Sequence, residues 1–302
     1  EVSDTQLAFH ATDGFTVATG SGELNDATGA PNNFAAWCWK AGGGPTADNT
    51  AISGAMTANS VSVDGVLQSS YTPSGSPTIY PKRMSIGTKQ GFSIIKYGGS
   101  NASSSTVPHG LGKAPEMIIV KNLDSADQWV VYHKSVASDA ETDYLVFNTT
   151  AAAVDNATVW NDTAPTTQVF SIGQGGSISE LNENFIAYCW HSVAGYSAFG
   201  SYIGNGSSSG DGIFVYTGFK PAFVMIKRNA TESWVIADNA RDPHNPITKY
   251  LLADEPNTEG GGISYNFYSN GFKSKTNSQN EAGATYIYMA FAEQPGKYSN
   301  GR

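Results

Sequence analysis

The sequence predicts an all-β fold: tandem β-sandwich-like domains from an internal duplication of about 105 residues, with the first copy truncated. Three observations predict it. Apolar runs are short and separated by turns of Gly, Asn, Ser and Asp, the pattern of strands that leave and re-enter a core. No stretch spaces Glu, Lys, Leu and Ala as a long amphipathic helix requires. Finally, the chain repeats itself, motif by motif and in order.

The repeats set the elements. "FAAWCWK" (34–40), "FIAYCWH" (185–191) and "YIYMAFA" (286–292) each open on an aromatic residue and carry another at the sixth position. Their fifth position is small: Cys38, Cys189 and Ala290. Shorter matches precede them at Gly14-Phe15, Val169-Phe170 and Gly271-Phe272. The two later copies match over a longer stretch. "GFSIIKYGGSNASSS" (91–105) resembles "AFGSYIGNGSSSG" (198–210), and "KAPEMIIVKN" (113–122) resembles "FKPAFVMIKRN" (219–229), which pairs Lys121 with Lys227. "WVVYHK" (129–134) matches "WVIADN" (234–239), and "YLVFN" (144–148) matches "YLLAD" (250–254). These offsets lie between 101 and 107 residues, too regular and too well ordered for accident.

Four regions follow: 1–42, the last part of a first copy; 43–90, a connector rich in Gly, Ser, Thr and Pro; and full copies over 91–197 and 198–302. The connector is too varied for a flexible spacer and reads as an ordered insertion or small β element. A repeat this long exceeds a solenoid unit and is domain-sized.

Side chains alternate between the faces of a strand. Phe34, Ala36 and Cys38 then share one face, with Ala35, Trp37 and Trp39 on the other. Both faces are apolar in all three copies, which predicts central strands covered on both sides and places the Trp/Cys cluster in the core. The exchange of Cys for Ala in the third copy marks a small buried hydrophobe. Cys38 and Cys189, at equivalent positions in separate copies, are read as free thiols. Trp129 and Trp234, matched across copies, are read as packing anchors, as are Trp39 and Trp190.

Composition excludes several functions. With 17 basic against 26 acidic residues, a net charge of −9 and no basic run, the chain does not suit a nucleic-acid backbone. No apolar run reaches the length of a membrane helix. The start, Glu1-Val2-Ser3-Asp4, reads as a processed or incomplete terminus. "VPHGLGKAPE" (107–116) lacks the P-loop pattern, and its glycines are expected to serve turns with positive φ. No histidine lies in a nucleophile motif, and the acids Asp155, Asp162, Glu180 and Glu183 read as solvated loop residues. No cofactor and no metal is expected.

Two segments stand out as candidate ligand-binding sites. Trp160 is the tryptophan without a partner in another copy; in "ATVWNDTAP" it stands beside Asn161 and Asp162. An exposed aromatic next to an amide and a carboxylate equips a site for stacking on a sugar and bonding its hydroxyls. The alternative is a loop aromatic capping the edge of a domain. In "NARDPHNPITK" (239–249), Asp242 and His244 stand among prolines and could meet a metal or a glycan hydroxyl. The alternative there is a turn held by Asp bonds to backbone and by proline's fixed φ.

"GFSIIKY", "HGLGKAPEMIIVKN", "WVVYHK", "AWCWKAG" and "YIYMAFAEQPGKY" together resemble a repeated domain of tailed bacteriophages, found at the C-terminal ends of tail-fibre and other virion structural proteins, often of phages of marine bacteria. The resemblance covers about 1–42 and 91–300. It implies a non-catalytic virion protein that engages the host surface, with a glycan as the candidate receptor. It also implies a homo-oligomer, trimers being the common fibre state, in contact with other tail proteins and assembled in the bacterial cytoplasm. The alternatives are a scaffold or decoration subunit, a polysaccharide depolymerase with two carboxylates about 5–9.5 Å apart, and a cellular adhesin. The resemblance supplies no binding residues.

Overall fold

The computed structural model describes residues 7–9, 14–17 and 33–293, and the chain divides into two units, 1–39 and 40–302. In the first, β1 (Leu7–Phe9) pairs antiparallel with β2 (Phe15–Val17). Most of the expected first copy lies outside the described residues. The part that is described corrects the expectation of a buried central strand: residues 33–39 form no strand, Phe34 is 54% exposed and Cys38 is exposed. Trp37 and Trp39 are only half-buried. An apolar run becomes a two-sided core strand only where neighbouring strands flank it, and this segment does not take strand conformation.

In the second unit the connector folds into β3 (Val61–Val63), β4 (Val66–Leu67) and β5 (Arg83–Gly87). The next stretch gives β6 (Phe92–Gly98), β7 (Ser105–Pro108), β8 (Met117–Asn122), β9 (Val130–His133), β10 (Asp143–Val146) and β11 (Val154–Asp155). Helix α1 (Ala157–Trp160), β12 (Val169–Ile172), helix α2 (Gly176–Ser179) and β13 (Asn184–Trp190) complete it. Then come β14 (Ser197–Ile203), β15 (Phe214–Tyr216), β16 (Pro221–Arg228), β17 (Val235–Asp238) and β18 (Ile247–Leu252). The last three are β19 (Gly260–Tyr268), β20 (Gly271–Ser274) and β21 (Thr285–Ala292). The two helices are single turns; Asn156 caps the first by accepting from Thr158 N–H, and Asn161 ends it in the left-handed conformation.

The protein is nearly all-β, in several sheets. Nine strands run in the order β11-β10-β9-β8-β13-β6-β5-β3-β4, and eight in the order β14-β21-β16-β17-β18-β19-β20-β15. A ribbon of β7 and β12 stands apart from both. The succession β10-β9-β8-β13-β6 in one sheet has the same chain order as β18-β17-β16-β21-β14 in the other. Registers agree as well. Lys121 faces Ile186 as Lys227 faces Ile287, and Tyr97 faces Phe185 as Tyr202 faces Tyr286. In β6 and β14 the ladders therefore relate Tyr97 to Tyr202, two residues away from the alignment suggested by "GFSIIKY" and "AFGSYIG". A shift of two leaves every side chain on its own face, which is why the sequence match tolerates it.

β21 is buried on both faces, as its apolar run predicts, whereas β13 is fully buried on one face and half-buried at Ile186 and Tyr188 on the other. Phe185, Ala187 and Cys189 of β13 are fully buried; Tyr97 stacks on Phe185 at 5.3 Å, and the Phe170 ring of β12 closes edge-on at 6.5 Å. Burial pushes the Cys189 thiol well above its ordinary pKa, and both cysteines are free. Tyr286, Tyr288 and Ala290 of β21 face a second core with Tyr202, Phe219, Tyr265 and Phe272. That core fills the inside of the eight-stranded sheet, which curls into a near-barrel: Tyr202 on edge strand β14 meets Phe272, next to the other edge, at 6.2 Å.

The opposite faces of the two sheets meet. Met117 and His133 of the first pack with Met225, Ile287 and Met289 of the second, leaving no room for a water-sized sphere between them. Trp234 Nε1 donates to Val146 O at 2.9 Å, and its ring meets Phe147 at 5.3 Å. Lys227, fully buried, donates to Arg228 O at 2.9 Å and Ala230 O at 2.8 Å. Lys121, its counterpart, is less buried and donates likewise to Asn122 O and Ser125 O at 2.6 and 2.7 Å.

Candidate functional site

The residues singled out by sequence fall in two places. Trp160, Asn161 and Asp162 lie between β11 and β12; Asp242 and His244 lie between β17 and β18. Trp160 corrects the expectation of an exposed platform. It is only 2% exposed, its ring edge-on to Tyr132 at 5.8 Å, so it offers no face to a sugar. The single turn α1 is what tucks it inward: Val159 and Trp160 form its buried side. Asn161 takes φ +54° at the helix end and bonds Ser104 Oγ through Nδ2 at 3.1 Å, while Asp162 is exposed with φ +43°. These two are turn-formers.

Asp242 is occupied in the same way. One carboxylate oxygen accepts from Thr248 N–H at 2.7 Å, Thr248 Oγ1 at 3.0 Å and Lys249 N–H at 3.3 Å. Those bonds hold its pKa below the usual aspartate value, the Thr248 backbone bond contributing most. This is the alternative the sequence offered, a turn held by an Asp side chain. His244 is exposed beside it. Among the described residues no group of three or more His, Cys, Asp or Glu side chains converges as a metal site, and no helix is long and apolar enough to cross a membrane. The glycines of "VPHGLGKAPE" serve turns, with φ of +75° at Gly110 and +71° at Gly112.

A different surface carries three exposed aromatics. Strand β15 alternates Phe214, Val215 and Tyr216; Val215 enters the near-barrel core, while Phe214 is 42% and Tyr216 68% exposed. The ladder to β20 sets Phe214 opposite Lys273 and Tyr216 opposite Gly271. The ladder from β20 to β19 sets Lys273 opposite Asn266 and Gly271 opposite Tyr268, itself 38% exposed. Two cross-strand rows result on the outer face: Phe214, Lys273, Asn266, and Tyr216, Gly271, Tyr268. Gly271 matters here. A Cβ at this position would meet Phe214 Cζ at 2.9 Å and Val215 O at 2.1 Å, so only glycine lets the Phe214 ring lie across the middle strand. Phe214 and Tyr268 rings then approach to 6.0 Å.

Polar groups rim this aromatic shelf. Asn266 Nδ2 donates to Tyr268 Oη at 2.9 Å, which leaves the Tyr268 hydroxyl proton free to donate outward. Lys273 Nζ stands 3.7 Å from Asp211 Oδ1. Contiguous exposed aromatics are uncommon on a soluble surface and mark contact sites. Sequence reading missed this one because aromatics on an edge strand read as core; the signal was the alternation in "IFVYTG", with the two-residue turn Ser269-Asn270 closing the hairpin that supplies its partner strand.

The chain belongs to the family described as Domain of unknown function (DUF7483), which it matches over residues 78–295, a span that takes in both five-strand arrays. No curated protein and no solved structure matches it.

Proposed function

We propose that this family member is a non-catalytic structural component of a tailed-phage virion, a tail fibre or related appendage subunit, which recognises the surface of the host cell. The observation that carries the reading is the shelf of Phe214, Tyr216 and Tyr268, held on a rigid β scaffold and open to solvent. The motif resemblance to tail-fibre repeats supports the virion setting. The net charge of −9 supports uncharged polar targets. Repetition of a weak site across a homo-oligomer, trimeric in the common fibre state, would raise avidity without new contacts. In the same reading the chain packs against other tail proteins, and its two arrays descend from one duplicated segment. The matching strand orders and the parallel bonding of Lys121 and Lys227 support that descent.

The test uses the full chain and the particle. Antibody against residues 198–302 is expected to decorate the tail of intact particles, and labelled protein to adsorb saturably to cells on which the phage plates. Decoration without adsorption would favour the scaffold reading. Release of oligosaccharide from host polysaccharide would overturn the non-catalytic assignment.

A further inference from the structure

We propose that the Phe214–Tyr216–Tyr268 shelf binds the ring face of a neutral pyranose in a surface glycan; this rests on the recognition reading above and names its ligand class. A pyranose presents apolar C–H bonds on one face and hydroxyls around its edge, and the shelf mirrors that division. The ring of Phe214 lies across Gly271 and approaches Tyr268 to 6.0 Å, while Tyr216, in the same cross-strand row as Gly271 and Tyr268, lays its ring beside Gly218; aromatic side chains thus occupy the outer face across three adjacent strands, roughly 10 Å at the usual interstrand spacing. Around it stand a donor in the Tyr268 hydroxyl, a second donor in the Lys273 ammonium and an acceptor in the Asp211 carboxylate. Asp211 is 89% exposed and therefore open to a further partner.

Charge selects a neutral ligand. The Lys273 cation already faces Asp211, so an acidic sugar at the shelf would meet a carboxylate as well as an ammonium. The next cation along the chain, Lys275, leans over the Gly210 turn. Vicinal hydroxyls both donate and accept, and they match an adjacent ammonium and carboxylate without placing net charge on either. The same pattern argues against a second copy of the chain as occupant, because Lys273 and Asn266 place polar groups among the aromatics where a subunit interface needs continuous apolar area.

The experiment is saturation-transfer NMR on the full chain with methyl glycosides of glucose, galactose, mannose and N-acetylglucosamine, beside glucuronic acid as the anionic control. Transfer to the ring protons of at least one neutral glycoside is expected. Tyr216→Ala should weaken that binding roughly threefold to tenfold, the size of one lost aromatic contact. Tyr216→Leu, which keeps apolar bulk without a π face, should behave like the alanine variant. Unchanged circular dichroism would show that each variant folds. Transfer from glucuronic acid alone, from no sugar, or undiminished in both variants would overturn the proposal. A dimer that Tyr216→Ala converts to monomer would overturn it as well and assign the face to a second copy. Cell adsorption separates the two readings: sugar binding without adsorption removes host recognition and keeps the shelf, while adsorption unaffected by Tyr216→Ala keeps recognition and removes the shelf.

Discussion

Residues 92–190 and 197–292 build the same five-strand succession and diverge most in the chain between the fourth strand and the ribbon strand that follows. In the later half that stretch is β19, nine residues long, whose Ile263, Tyr265 and Phe267 face inward; it joins β18 to β20 and curls the sheet into a near-barrel. In the earlier half the stretch is two-residue β11 followed by α1, so β7 and β12 remain a separate ribbon and Trp160 is drawn inside. The difference teaches where each half can carry function. The earlier half extends on its other side through β5, β3 and β4, while the later half ends in β15, a short edge strand whose outer face carries the aromatic shelf.

The largest test of this comparison sets the matched tryptophans against each other. Trp234 is 1% exposed and bonded to Val146 O across the sheet junction, whereas Trp129 is half-buried against Phe147. Trp234→Ala is expected to cost about 3–5 kcal/mol, and Trp129→Ala about 1 kcal/mol, read from chemical denaturation midpoints. Equal losses would show that the halves share load as well as topology.

Acid should act through histidines of the earlier half. His133 Nδ1 accepts from Ser135 N–H and Nε2 stands 3.3 Å from Tyr288 O; His109 has the same arrangement with Leu111 N–H and Thr166 O. Both geometries require the neutral Nε2–H tautomer, and burial depresses each pKa to about 4. The unfolded chain takes up these protons near pH 6.5 and the folded chain only near 4, so the contribution is complete above 6.5 and is lost as pH falls to 4. Each histidine accounts for roughly 3 kcal/mol over that window. At the position matching His133 the later half has Asp238, which accepts the corresponding N–H, of Ala240, and pairs with Arg241. His133→Asn should therefore flatten the acid limb of a stability–pH curve; an unchanged slope would remove His133 from the account.

The smallest expected effect separates the two lysines. Lys227→Met strands carbonyls in a buried site and should cost about 1–3 kcal/mol, against less than about 1 for the more exposed Lys121→Met. Burial lowers the Lys227 pKa to about 8, so the unfolded chain keeps this proton longer than the folded one. Its part of the stability is therefore lower below pH 8 and rises as pH climbs toward 10.5. Thermal melts at pH 7.5 and 10 would read that rise in the native chain and its absence in Lys227→Met.

Much of the framework was legible before any coordinates. The apolar runs at 185–190 and 286–291 are central strands, the second buried on both faces and the first half-buried on one, because side-chain alternation with both faces apolar has few other solutions. The same logic failed at 34–39, where the residues are alike but the chain takes no strand conformation, and at Trp160, where polar neighbours suggested solvent and a one-turn helix pointed the ring inward.

Local sequence alone determined the strand class, the turns at Gly110 and Gly112, the Asp242 turn and the succession of matched motifs, because these depend on side-chain alternation, positive φ and bonds between near neighbours. Tertiary structure alone decided that one array curls closed while the other stays open, that Trp234 and His133 bridge the sheets, and that Phe214, Tyr216 and Tyr268 share one outer face. Which apolar side chain is covered depends on the strand that arrives beside it from 50 or more residues away, as at the Phe214–Lys273 pair, and no local pattern carries that information.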